Sequence, residues 1–103
     1  MFIYSVTIHI LKENEVEWLE YMQQKHIADV LKTGFFSKAI MRKEIHKENE
    51  NRVSYNTEYF TETIEKYDTY VQVAAPVLQK DVIEKFGGKF TAERKFYEVI
   101  IEL

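Results

Sequence analysis

Hydrophobic and polar positions alternate with period two at both ends of the chain and recur with period near 3.6 in two long internal stretches. Residues 2–11 put Phe2, Tyr4, Val6, Ile8 and Ile10 on one face of a strand and Ser5, Thr7 and His9 on the other. Asn14, followed three residues later by Glu17, has the spacing of an N-cap with its capping-box partner. A helix over residues 15–33 is predicted from there, with Gly34 as its stop. Residues 35–47 and 52–60 read as strands on either side of Glu48-Asn49-Glu50-Asn51, a polar tetrapeptide suited to a hairpin. From Thr61, helical spacing resumes at Ile64, Tyr67, Tyr70, Val71 and Ala74. Pro76 cannot continue the hydrogen-bond ladder, so a kink or restart is expected near Ala75. Val77, Leu78, Val82, Ile83 and Phe86 then carry the apolar face to Gly87-Gly88. Residues 89–102 alternate again, Tyr97, Val99 and Ile101 against Phe96, Glu98, Ile100 and Glu102.

The order β-α-β-β-α-β predicts an α+β, ferredoxin-like fold: a four-stranded antiparallel sheet with both helices on one face, because crossovers are right-handed. At 103 residues the chain is read as a single domain over 1–103. One sheet face is left uncovered, and Ile3, Leu11, Ile40, Tyr55, Tyr59, Phe60 and Ile100 put apolar side chains on more than one side of the strands. Aromatic residues are 15% of the chain, more than one small core needs. A homodimer with its sheets packed face to face, a dimeric α/β barrel, would cover that surface.

Trp18, Met22 and His26 stack at four-residue spacing on the first helix. At 100° per residue His26 falls in an arc with Val16, Leu19, Met22, Ile27 and Val30, which predicts a partly buried imidazole. Burial lowers its pKa and a carboxylate at Asp29 raises it; desolvation is expected to win. His26 is the candidate general base, Asp29 its orienting carboxylate, and Trp18 and Met22 are candidate ligand contacts. The alternative is a core histidine satisfied by a backbone carbonyl or by Asp29, beside a core Trp and Met. Ser5, Thr7 and His9 form a polar row that Arg42, Asn56 and Glu58 could join, as ligand contacts or as an interface network.

Charge and composition close several routes. Net charge is −3, with basic residues scattered among acids, which removes the electrostatic basis for nucleic-acid binding. Tyr55-Asn56-Thr57-Glu58-Tyr59 has stacking rings but not the flanking basic pattern of an RNA-reading sheet. Cysteine is absent, so disulfides, thiolate metal sites and thiol nucleophiles are excluded. Three dispersed histidines without His-x-x-x-His or Glu-x-x-His spacing predict no metal site, and Gly87-Gly88 alone is no phosphate loop. No cofactor is therefore expected. His46, between Ile45 and Lys47, reads as solvated. Residues 1–6 have no basic region before them and no stretch reaches the roughly 20 apolar residues of a membrane span. A cytoplasmic location is expected.

Tyr4-Ser5-Val6-Thr7, Glu17-Trp18-Leu19, His26-Ile27, Leu31-Lys32-Thr33-Gly34-Phe35-Phe36, Tyr59-Phe60, Ala75-Pro76, Phe86-Gly87 and Glu98-Val99 together resemble a family of small bacterial proteins. That family is known only as a domain of unknown function within the dimeric α/β-barrel superfamily, which also holds the antibiotic-biosynthesis-type monooxygenases. The resemblance implies the fold and the dimer. Two functions stay open: a dimer that binds a small hydrophobic ligand between helices and sheet, or a cofactor-independent monooxygenase- or isomerase-like enzyme using His26.

Overall fold

The computed structural model describes residues 1–45 and 51–103. Four antiparallel strands, β1 (Phe2–Leu11), β2 (Lys38–Lys43), β3 (Arg52–Thr61) and β4 (Phe90–Glu98), form one sheet in the order β2-β3-β1-β4. The helices are α1 (Glu15–Tyr21), α2 (Ile27–Lys32), α3 (Ile64–Val73) and α4 (Ala75–Phe86), all against one sheet face. This is the ferredoxin-like α+β order. The hairpin turn read at 48–51 falls, Asn51 apart, outside the described residues, as does His46.

The first helix departs from the regular form its sequence suggests. Between α1 and α2, Met22–His26 form a π turn, in which the Ile27 N–H donates to the Met22 carbonyl five residues back. In an unbroken α-helix Val30 would lie about 120° round from Trp18; the extra residue of the π turn takes back about 100°. Trp18, Met22 and Val30 are therefore all buried on one face, while Val16, placed in the arc by simple periodicity, is 71% exposed. Asn14 is not a cap. A 3-10 turn over Lys12–Asn14 brings the chain into the helix through a Glu15 N–H to Lys12 carbonyl bond, and the Asn14 Oδ1 is buried without a partner. The predicted stop does form: Gly34 takes φ +82°, a conformation costly for any residue with a Cβ.

The second helical stretch breaks where the proline requires it. Thr63 caps α3, its hydroxyl accepting from the Lys66 N–H at 3.1 Å. Ala74 closes α3, and α4 restarts with Pro76 in its first turn, where no N–H is needed. β4 ends earlier than alternation predicts. Val99 still donates to the Met1 carbonyl at 2.9 Å, but Ile100 and Ile101 stand 82% and 71% exposed. β2 is likewise shorter than 35–47: Phe36 turns inward, stacking on Tyr4 and meeting Tyr59 at a tilt.

The core beneath the helices is in two parts. Ile8, Ile10, Trp18, Tyr21, Met22, Tyr55 and Phe86 form one cluster; Tyr4, Val30, Phe36, Tyr59, Tyr70 and Ala75 form the other. The opposite sheet face has a polar centre. Asn56 donates to Ser5 at 2.8 Å and Thr7 at 3.1 Å, and Arg42 pairs with Glu58 and Asn56. At one end of that face the register aligns Ile3 with Phe60 and Tyr97, next to Ile40, which is 41% exposed.

Candidate functional site

Between the two core clusters lies a cavity of about 170 Å³. Its floor is a row across three strands, Thr57, Val6 and Arg94, held side by side by the register. Each position interrupts a series of larger or apolar neighbours: Thr57 between Tyr55 and Tyr59, Val6 between Tyr4 and Ile8, Arg94 between Ala92 and Phe96. Small and polar residues at one level of a covered sheet face leave volume unfilled. Trp18, Met22 and His26 form one wall and Gln79, Val82 and Ile83 of α4 the facing wall. The phenols of Tyr4, Tyr59 and Tyr70 close the end toward the second cluster.

Four-residue spacing puts Trp18, Met22 and His26 on one wall, and the π turn keeps the α2 residues that follow, Val30 among them, facing the sheet as well. The His26 ring stacks on Tyr21 at 6.0 Å, and Trp18 meets Tyr55 at 5.1 Å. Burial pushes the His26 pKa down; Asp29 and Asp81 oppose that shift while Lys25 and Arg94 add to it. The imidazole is therefore neutral at pH 7. Asp29 does not bond it. Its carboxylate accepts from the Lys25 ammonium at 2.6 Å, which holds its own pKa low, and it acts on His26 only through space.

Burial likewise raises the pKa of Tyr4, Tyr59 and Tyr70, so all three phenols stay protonated and can donate. The Arg94 guanidinium acts on the Tyr4 hydroxyl electrostatically, opposing part of that rise, and Gln79 lines the cavity with them. Arg94, Tyr4, Tyr59 and Tyr70 are site residues that the pattern of the sequence did not single out. The signal for Arg94 was present, as the one cation in the inward series Phe90, Ala92, Arg94, Phe96, but it needed the register to be seen.

Ser5, Thr7 and His9 lie across the sheet from the cavity. His9 bridges two strands, Nδ1 to the Ser54 Oγ at 2.6 Å and Nε2 to the Glu93 carboxylate at 3.1 Å. This has the connectivity of a Ser-His-carboxylate triad. Hydrolysis would also need N–H donors free to hold an oxyanion, and β3, flanked by β1 and β2, commits its amides to the ladder. The row is a hydrogen-bonded strand surface. Among the described residues no group of three His, Cys, Asp or Glu could hold a metal ion, and no helix is long and apolar enough to cross a membrane.

A ferredoxin-like sheet with an apolar-walled cavity under its helices belongs to a fold shared by dimeric ferredoxin-like proteins and cofactor-independent oxygenases. SnoaB, a cofactor-independent oxygenase from Streptomyces nogalater, superposes with a TM-score of 0.70 at 13% identity, over 99% of this chain and 96% of that one. A dimeric ferredoxin-like protein from an uncultured marine organism gives 0.69 at 17% identity, over 100% and 98%. An ethyl tert-butyl ether d (ethd) family protein from Bacillus halodurans gives 0.69 at 12%, over 97% and 100%. The chain itself belongs to the domain of unknown function DUF4286, whose family profile matches residues 1–100. No curated protein matches it.

Proposed function

We propose that the protein is a homodimer that binds a small, predominantly apolar molecule in the cavity between helices and sheet. The observation that carries this reading is the split core: two well-packed clusters separated by a cavity that Trp18 of α1 and Met22 and His26 of the π turn line. Irregular helical turns recur at functional sites because they re-aim side chains at a cost in regular hydrogen bonding. The dimer pairs the uncovered sheet faces. Ile3, Ile40, Phe60 and Tyr97 give it an apolar contact, and Ser5, Thr7 and His9 line the space between the sheets. The dimeric ferredoxin-like relative supports this arrangement.

A panel of neutral one- and two-ring compounds, followed by amide and side-chain NMR shifts, tests the cavity. Binding should perturb Trp18, Met22 and His26, leave Ser5 and His9 unmoved, and be lost in Val82→Phe, which fills the space. Perturbation confined to the other sheet face would refute the assignment.

A second reading makes the cavity catalytic, and one observation favours it: His26 faces the cavity in its neutral, base-competent form. Here the imidazole would take a proton from an acidic C–H or O–H of the ligand, as in an isomerase or a cofactor-independent monooxygenase, with Asp29 stabilising the imidazolium through space. His26→Gln should then abolish turnover and leave ligand affinity within a few fold; unchanged turnover refutes it.

A further inference from the structure

The groups that line the cavity are biased toward one sign of charge. Among the described residues, Arg94 is the only one of the lining with a fixed charge and no carboxylate lines the cavity with it, while His26 opposite is neutral. The three phenols are donors, and Tyr4, Gln79 and Arg94 line the same cavity, with the Arg94 charge acting on the Tyr4 hydroxyl. A guanidinium presents a planar fork of donors that matches an oxyanion, and a charge-assisted pair is about twice as strong as a neutral one. The remaining walls, Trp18, Met22, Val82 and Ile83, are apolar. Size limits the occupant, because an engineered cavity of about 150 Å³ accepts one benzene. At about 170 Å³, this one holds a single ring or an equivalent chain, plus a small polar head.

We propose that the cavity's ligand is a small aryl or alkyl acid, with its anionic oxygens on Arg94, the Tyr4 hydroxyl and Gln79 and its apolar body against Trp18, Met22 and Val82. The proposal rests on the reading of the cavity as a ligand site and adds the ligand's charge and the residue that recognises it. Arg94 is solvent-accessible on its strand, so the anionic head sits at the mouth and the ring enters first.

The test compares 3-phenylpropionate with its neutral counterpart 3-phenylpropanamide. Trp18 is the chain's single tryptophan and lines the cavity, so its emission reports occupancy directly. In low salt the acid should bind at least tenfold more tightly than the amide, and added salt should weaken the acid alone. Arg94→Gln should bring the acid down to within a few fold of the amide measured on the same variant, with an unchanged far-UV circular dichroism spectrum and melting midpoint certifying the fold. Arg94→Lys should keep part of the preference. Equal binding of acid and amide overturns the anion proposal and leaves the cavity reading standing. A preference that survives Arg94→Gln overturns the assignment of Arg94. If neither probe binds and the neutral panel also fails, both readings fall.

Discussion

Trp18 is the residue on which the helix, the sheet and the cavity converge, and its truncation gives the largest single effect we expect. Its side chain is 1% exposed and packs on Tyr55 of β3 at 5.1 Å. Removing the indole takes roughly 200 Å² of mostly apolar surface out of the core, worth about 5 kcal/mol at about 25 cal/mol per Å². That figure is an upper bound, because the unfolded chain already buries part of it. Trp→Ala substitutions in cores cost about 3–5 kcal/mol, which agrees. Collapse around the gap is poor here, since the space left by the indole joins the existing cavity instead of being filled by neighbours. We therefore expect Trp18→Ala to cost about 4 kcal/mol, a large part of the total for a domain of this size, and to lower Tm by roughly 15–20 °C. Trp18→Phe, which keeps a ring against Tyr55, should cost less than half of that. Urea melts followed by far-UV circular dichroism suit the measurement, because the substitution removes the fluorophore. A Trp18→Ala midpoint within a few tenths molar of the parent at the same slope would show that the indole is not a packing element.

Two further outcomes follow from the same structure. Because the folded His26 binds its proton more weakly than the unfolded value of about 6.5, the unfolded state holds more protons as pH falls through that value. Stability should therefore be complete above about pH 7 and decline as pH falls below about 6.5. His26→Gln should flatten that decline, and an NMR titration giving His26 a pKa above about 6.5 would contradict the burial argument. For the assembly, light scattering should report a dimer, and Ile3→Asp, which puts a charge opposite Phe60 and Tyr97 on the uncovered sheet face, should give a folded monomer. A monomer in the parent at high micromolar concentration would refute the sheet-to-sheet assembly.

The strands and their succession along the chain were legible because period-two alternation depends only on which residues face inward, and β1 keeps Tyr4, Ile8 and Ile10 buried on the face the pattern gave them. The broken second helix was legible for a similar reason: Pro76 has a local, unconditional effect on the backbone. The first helix was not, because its π turn answers to packing on both sides. A constant step of 100° placed Val16 inside with Val30, whereas the extra residue of the π turn brings Val30 onto the face of Trp18 and leaves Val16 outside. Asn14 failed as a cap for a related reason, since the 3-10 turn before the helix had already taken over the entry. Arg94 and Thr57 were invisible for a third. Each looks like an ordinary surface residue on its own strand, and only the cross-strand register puts both beside Val6 under the helices.

That row is where the fold gives up stability. An unfilled cavity costs about 24 cal/mol per Å³, so about 170 Å³ corresponds to about 4 kcal/mol, an upper bound because polar walls admit water. The same floor could be closed by larger apolar residues at 57 and 94 with no change in strand pairing, since backbone hydrogen bonds do not depend on side-chain identity. Instead the chain places a hydroxyl and a solvent-accessible guanidinium there, gathers three protonated phenols at one end, and sets a neutral imidazole on the wall. The buried hydroxyl and desolvated imidazole are unfavourable for a core, and with the guanidinium at the mouth they suit the proposed site, which buries a small ring and leaves its anionic head at the opening. Filling substitutions such as Val82→Phe should accordingly raise Tm while eliminating binding, the trade-off expected where a cavity serves a ligand.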